Sequence, residues 1–186
     1  RNGAGKTTLL RSIMGLIPAT SGEMHLDEHN LMRSAAHLRT SLGIGYAPED
    51  RVIFPTLSVQ ENLELPCEIL ELSSQEVEER LAHVLDVVPQ LKPMLARSGA
   101  ALSGGQGKMV ALGRALMVGS AIVLLDEPFQ GLAPALALQY SEALGRLRTS
   151  RPDLSVVITE SNSALLTDIP NQILTIERGS FVEAIH

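Results

Sequence analysis

Short apolar runs alternate with longer amphipathic ones along most of this chain. The run "AIVLL" at residues 121–125 is followed by two acids and a proline. That is the pattern of a strand buried on both faces of a parallel sheet. "LGIGYAP" from Leu42 reads as a second core strand, with Ile44 and Tyr46 alternating with glycines and Pro48 ending it. "LSVVITE" from Leu154 reads as a third. Helical spacing fills the gaps, in "KTTLLRSIMGL" from Lys6, "SVQENLELPCEIL" from Ser58, "SSQEVEERLAHVLDVV" from Ser73, "KMVALGRALM" from Lys108 and "ALALQYSEALGRLRT" from Ala135. Ser73 and Glu76 are spaced as a capping box. A short helix is expected from Ser163. "SGEMHLDEHNL" reads as a turn and an exposed antiparallel strand, and "QILTIERGSFVEAI" as two short strands turning at Arg178-Gly179. Strands alternating with helices predict an α/β fold, a mainly parallel sheet flanked by helices. Residues 56 to about 101 read as an inserted helical segment, and the chain shows no repeat, linker or low-complexity stretch.

Composition narrows the function classes. The chain has 186 residues, 45% of them hydrophobic and 19% charged, as suits one globular domain with a sizeable core. A net charge of −6 argues mildly against a nucleic-acid partner, whose binders usually show a basic face, though a local basic patch stays open, and 3% aromatic content is too little for a base-stacking platform. The longest apolar stretch, "ALMVGSAIVLL" from Ala115, is too short to cross a bilayer. Cys67 has no partner for a disulfide and reads as a small hydrophobe in a helix. His25, His29, His37, His83 and His186 show no metal-ligand spacing with it.

The chemistry is concentrated in three stretches. "RNGAGKTTLL" supplies all but the first glycine of the phosphate-loop pattern G-x-x-x-x-G-K-[ST], and that glycine would sit just before Arg1. Asn2, Gly3, Ala4, Gly5, Lys6, Thr7 and Thr8 are the candidate nucleotide contacts. Glycines let the backbone approach phosphate, and the following helix directs its positive end at the anion. Lys6 would reach the β- and γ-phosphates, and the Thr7 hydroxyl would ligate Mg²⁺. "AIVLLDEP" places Asp126 at the carboxyl end of a strand, where it can hold the metal. Glu127 follows as a general base for an attacking water. "LSGGQ", Leu102 to Gln106, puts Ser103 at a helix cap and leaves the amides of Gly104 and Gly105 open to phosphate. One nucleotide has no obvious use for two such elements, so the second would serve a nucleotide held by another copy.

With these three motifs in this order the chain resembles, over essentially all its length, the ATP-binding subunit of an ABC transporter. "IGYAPEDRVIFPTLSVQENLEL" and "LDEPFQGLAP" are similar to the branched-chain amino acid transporter ATPases and their urea and short-amide relatives. The resemblance implies a P-loop NTPase domain over 1–186 with a helical subdomain at 56–106 that ends on the signature motif. It implies ATP and Mg²⁺ as cofactors, a homo- or heterodimer of ATPase subunits paired head to tail, two transmembrane permease subunits and a periplasmic or extracellular solute-binding protein. The location implied is the cytoplasmic face of the inner membrane, reached through the permeases. The phosphate loop reads as cut after its first glycine. The strand feeding the loop, the upstream antiparallel strands and an adenine-stacking aromatic are expected before residue 1, and a piece cut there is expected to bind ATP poorly and to be unstable. Two other classes stay open: a soluble ABC-type ATPase outside transport, and a nucleotide-binding subunit with weak turnover.

Departures from the family pattern bear on mechanism. Ser161 stands where the family carries a histidine that touches the γ-phosphate, so a shorter, never cationic donor replaces it. Glu49 stands at the family's Q-loop glutamine. It has two candidate roles, ligating Mg²⁺ or facing the membrane subunit, beside the plain reading of an exposed loop acid with Arg51 nearby to offset its charge. "QGLA", Gln130 to Ala133, lacks the usual D-loop aspartate. Gly107 is a helix-weakening residue with no function legible in the sequence.

Overall fold

The computed structural model describes residues 3–166 and 169–182. Asn2 and His186, named above, lie outside the described residues, as does the end of the tail strand. Six α-helices are described, α1 Lys6–Ile13, α2 Ala36–Arg39, α3 Val59–Ile69, α4 Ser74–Val87, α5 Gly104–Val118 and α6 Pro134–Ser150. The strands are β1 His25–Leu26, β2 His29–Asn30, β3 Ile44–Ala47, β4 Ile122–Asp126, β5 Ser155–Thr159, β6 Thr175–Glu177 and β7 Ser180–Val182.

Strands β3, β4 and β5 form one parallel sheet with β4 in the middle. Register sets Ile44 opposite Ile122 and Asp126 opposite Thr159. Successive residues of a strand face opposite ways, and β4 is apolar in both directions. Val123 and Leu125 pack into the larger core with α3 to α6, whereas Leu124 packs with Leu10, Met14, Leu31 and Ile44 on the α1 side. Helices therefore cover both faces, as the unbroken apolar run requires. The hairpins β1–β2 and β6–β7 are short antiparallel pairs.

Helix α5 is the hub. It lies against β3, α3 and α4. Close approach is written into glycines: a Cβ on Gly45 would overlap the Ala115 carbonyl, and one on Gly113 would come within about 3 Å of Leu63, Leu91 and Val84. Capping boxes begin α3 (Ser58 with Glu61), α4 (Ser73 with Glu76) and α5 (Ser103 with Gln106). Asn62, fully buried, ties the loop before α3 to the helix. Its amide donates to the carbonyls of Phe54, Leu57 and Ser58, and its oxygen accepts from the Phe54 N–H.

Candidate functional site

The phosphate loop is shaped by its glycines. Gly3 and Gly5 have φ of 74° and 110°, the left-handed region open to glycine. Gly5 caps α1, so Lys6, Thr7 and Thr8 form the helix's first turn with their N–H groups directed out of its end. The hairpin turn at Gly179 lies on the loop, its N–H donating to the Ala4 carbonyl at 2.8 Å. The far end of α1 is held by Arg39, a buried residue the sequence reading passed over. Its guanidinium donates to the carbonyls of Ser12 and Ile13, the last turn of α1, and to those of Leu31 and Ser34. Those partners satisfy a charge that burial pushes down from the usual arginine range.

The carboxyl end of β4 and the loops after β4 and β5 meet the start of α1. Lys6 Nζ lies 3.0 Å from Glu127 Oε1 and donates to Ser161 Oγ at 3.1 Å. Ser161 in turn donates to Glu127 twice, from Oγ to Oε1 at 2.6 Å and from its amide to Oε2 at 3.1 Å. Burial pushes the Glu127 carboxyl up, but the bonds from Ser161 and Lys6 and the Lys6 charge outweigh it and hold the group below the usual carboxylate range. Thr7 Oγ1 donates to Asp126 Oδ1 at 3.2 Å, and the same oxygen accepts from Thr159 Oγ1 at 2.7 Å. Tyr46 reaches Asp126 Oδ2 at 3.5 Å. Burial, followed by the Asp126 charge, pushes its phenol up to about 12.

Predicted residues Lys6, Thr7, Asp126, Glu127 and Ser161 thus form one hydrogen-bonded cluster. Mg²⁺ takes oxygen ligands and usually one or two protein groups, the rest coming from phosphates and water. A hydroxyl and a carboxylate in contact beside a phosphate loop suit that donor set. Among the described residues no group of three His, Cys, Asp or Glu could hold a metal by itself. Glu49 is exposed after β3, and no hydrogen bond joins it to Thr7 or Asp126 among the described residues. Its charge acts on Lys108 instead.

The signature motif is a separate surface. Ser103 and Gly104 are exposed, and among the described residues Leu102 to Gln106 make no hydrogen bond to the phosphate loop. Ser103 Oγ accepts from the Gln106 amide, and Gln106 Oε1 accepts from the Ser103 amide, which fixes the helix start. Gly105 is buried, and a Cβ there would overlap Leu136 of α6. Gly107 has a spatial explanation that the sequence hid. A Cβ there would stand 3.2 Å from Arg51 Cδ, and Arg51 Nη1 lies 3.0 Å from where a Cβ of Gly104 would be. Arg51 therefore lies along the first turn of α5, in a loop pinned by Arg114 through the Arg51 and Val52 carbonyls.

Two side chains missed by the sequence reading flank Glu127. Lys108 of α5 donates to the Glu127 carbonyl at 2.6 Å. Glu160 accepts from the Phe129 amide at 2.9 Å. Burial, and after it the charge of Glu127, pushes the Glu160 carboxyl up despite the Phe129 bond. Among the described residues no helix is long and apolar enough to cross a membrane.

Comparison with known proteins gives a consistent family. The ABC transporter family profile matches residues 1–130. A probable branched-chain amino acid transport ATP-binding protein, LivF of Archaeoglobus fulgidus, is 33% identical over 178 residues, 96% of this chain and 74% of that protein. The lipopolysaccharide export system ATP-binding protein LptB of Escherichia coli K12 is 34% identical over 162 residues, 87% of this chain and 66% of that protein. The fold matches the ADP conformation of MJ1267, an ATP-binding cassette of an ABC transporter, with a TM-score of 0.77 at 24% identity over 97% of this chain and 75% of that one.

Proposed function

Since the chain belongs to the ABC transporter family, as an ATP-binding protein whose ATP hydrolysis is coupled to transport, we propose that it powers import of branched-chain amino acids or related small polar or amide solutes. The observation that carries this reading is the likeness to LivF across 96% of the chain. Glu49 at the Q-loop and the "LDEPFQGLAP" stretch support it.

In this reading residues 3–8 hold the nucleotide phosphates, joined by Asn2 of the same loop. Glu127 is the general base for water, with Ser161 as its donor partner. Thr7 and Asp126 would hold Mg²⁺, with Glu49 a further candidate ligand, and the metal would neutralise charge on the β- and γ-phosphates. Leu102, Ser103, Gly104, Gly105 and Gln106 serve the nucleotide of a second ATPase subunit. Residues 56–106 act as the helical subdomain inserted in the nucleotide-binding core. The subunit sits at the cytoplasmic face of the membrane through two permeases fed by a solute-binding protein, and it takes no nucleic acid.

The Lys6–Glu127 pair gives the cycle a starting point. Lys6 is held by Glu127, so arriving ATP exchanges one anionic partner of Lys6 for another. That exchange releases Glu127 to accept a proton from water.

Uptake of labelled leucine, isoleucine and valine tests the reading, in cells carrying the gene, a deletion, or Glu127→Gln. Uptake should fall in the deletion and in Glu127→Gln. The 34% identity to LptB supports a second reading, lipopolysaccharide export. Unchanged uptake with reduced lipopolysaccharide at the cell surface would replace the first reading with that one.

A further inference from the structure

Glu127 adopts a φ of +46°, a backbone conformation that side-chain-bearing residues rarely take. Such a conformation persists only when its surroundings impose it. Three kinds of contact do so. On one side the Glu127 N–H faces Thr159, 3.0 Å from its carbonyl and 3.2 Å from its hydroxyl. On the other side the Glu127 carbonyl accepts from Lys108 at 2.6 Å and from the Gln130 amide at 3.2 Å. Beyond Pro128, the Phe129 amide is held by Glu160 at 2.9 Å.

We propose that Glu160 and Lys108 are positioning residues for hydrolysis, clamping the backbone turn Glu127–Phe129 from two different elements so that the Glu127 carboxylate stays aimed at the phosphate loop. Neither makes a hydrogen bond to the phosphate loop among the described residues; Lys108 bonds the Glu127 carbonyl and Glu160 the Phe129 amide, with the Glu160 carboxyl also beside that of Glu127. Lys108 lies five positions beyond Ser103, on the helix that starts at the signature motif. The orientation of that helix is therefore transmitted to the Glu127 turn by one side chain. Glu160 directly precedes Ser161, so the segment that donates to the Glu127 carboxylate also fixes the Glu127 backbone.

This inference rests on Glu127 being the general base, and the experiment separates the two. ATP turnover is measured in the intact subunit for the unaltered protein, Glu127→Gln, Glu160→Ala, Glu160→Gln, Lys108→Met and Lys108→Arg. Displacing a base by a fraction of an ångström lowers kcat without removing any phosphate contact. Glu160→Ala and Lys108→Met should each lower kcat by about tenfold or more, with KM for ATP changed by less than about twofold. Glu160→Gln keeps an oxygen that accepts from Phe129, and Lys108→Arg keeps a donor for the carbonyl, so both should recover most of kcat. Full turnover in Glu160→Ala and Lys108→Met, beside a dead Glu127→Gln, would overturn the clamp and leave the base assignment standing. A matched rise in KM, or no recovery in the conservative variants, would also overturn it. Full turnover in Glu127→Gln would remove the base assignment itself. Should Glu160→Ala fail to fold, the Lys108 pair decides the outcome by the same criteria.

Discussion

Ser161 offers only a hydroxyl where the sequence resemblance expects a histidine, yet it sits 2.6 Å from Glu127 Oε1 and 3.1 Å from Lys6 Nζ. In the proposed mechanism those two bonds orient Glu127 and Lys6 together. Ser161→Ala should lower turnover by about tenfold, the usual worth of one charged hydrogen bond at about 1.5 kcal/mol. Ser161→His should at least match the unaltered protein; equal rates in all three forms would show an indifferent position. Lys6 and Glu127 are 11% and 7% exposed, a nearly dry pair. Breaking one partner of such a pair strands the other charge. Without nucleotide, Glu127→Gln should therefore melt several degrees lower, and saturating ATP should restore it by giving Lys6 a phosphate partner. The same change removes a negative competitor, so ATP should bind about tenfold tighter by titration calorimetry. Glu160 carries the opposite sign. Its folded pKa is raised, so ionising it costs stability as pH rises through and above the normal carboxylate range. Glu160→Gln should be more stable than the unaltered protein at pH 7, and the gap should close as pH falls below the unfolded value near 4.5.

Helix α5 shows at the scale of an element why glycine count alone predicts little. A Cβ on Gly107 would press only on the flexible Arg51 stem, whereas one on Gly113 would meet Leu63, Leu91 and Val84 at 2.8 to 3.1 Å. Both substitutions to alanine gain about 1 kcal/mol of helix propensity. Gly107→Ala should keep most of that gain, because Arg51 can shift. Gly113→Ala should lose by about 1–3 kcal/mol net, because three packed core side chains cannot. Urea midpoints measured in parallel would show opposite signs; equal signs would refute the packing argument. The element also marks the boundary of what the sequence discloses. Ser103, Ser73 and Glu76 act locally, within three residues, and capping is therefore readable from order alone. The strands "IVLLD" and "IGYA" were legible because apolar runs this short have few other uses. Lys108, Glu160, Thr159 and Arg39 were not, since their bonds span 5 to 33 residues and end largely on backbone atoms. Backbone partners leave no complementary residue type to find. The Gly107–Arg51 contact was hidden for a similar reason, 56 positions separating a missing side chain from the one that uses the space.

At the scale of the molecule, the phosphate loop and the signature motif stand apart among the described residues. The phosphate loop is bonded to Asp126, Glu127 and Ser161, while Ser103 and Gly104 stand exposed with no hydrogen bond to it among the described residues. A nucleotide on the loop would leave the signature surface open, and a second subunit turned head to tail would close both at once. That arrangement predicts a separation of binding from association. Ser103→Arg places a bulky cation on the exposed helix start and removes its cap, at about 1 kcal/mol of local stability. The cap lies at the start of α5, away from Lys6 and Thr7, so single-subunit ATP affinity should hold within about twofold. ATP-driven dimerisation, followed by light scattering in a Glu127→Gln background expected to block hydrolysis, should be lost. Retained dimers in Ser103→Arg would place the signature motif outside the interface. Loss of ATP binding together with the dimer would mean that the signature serves the nucleotide of its own chain, and the head-to-tail reading would fall.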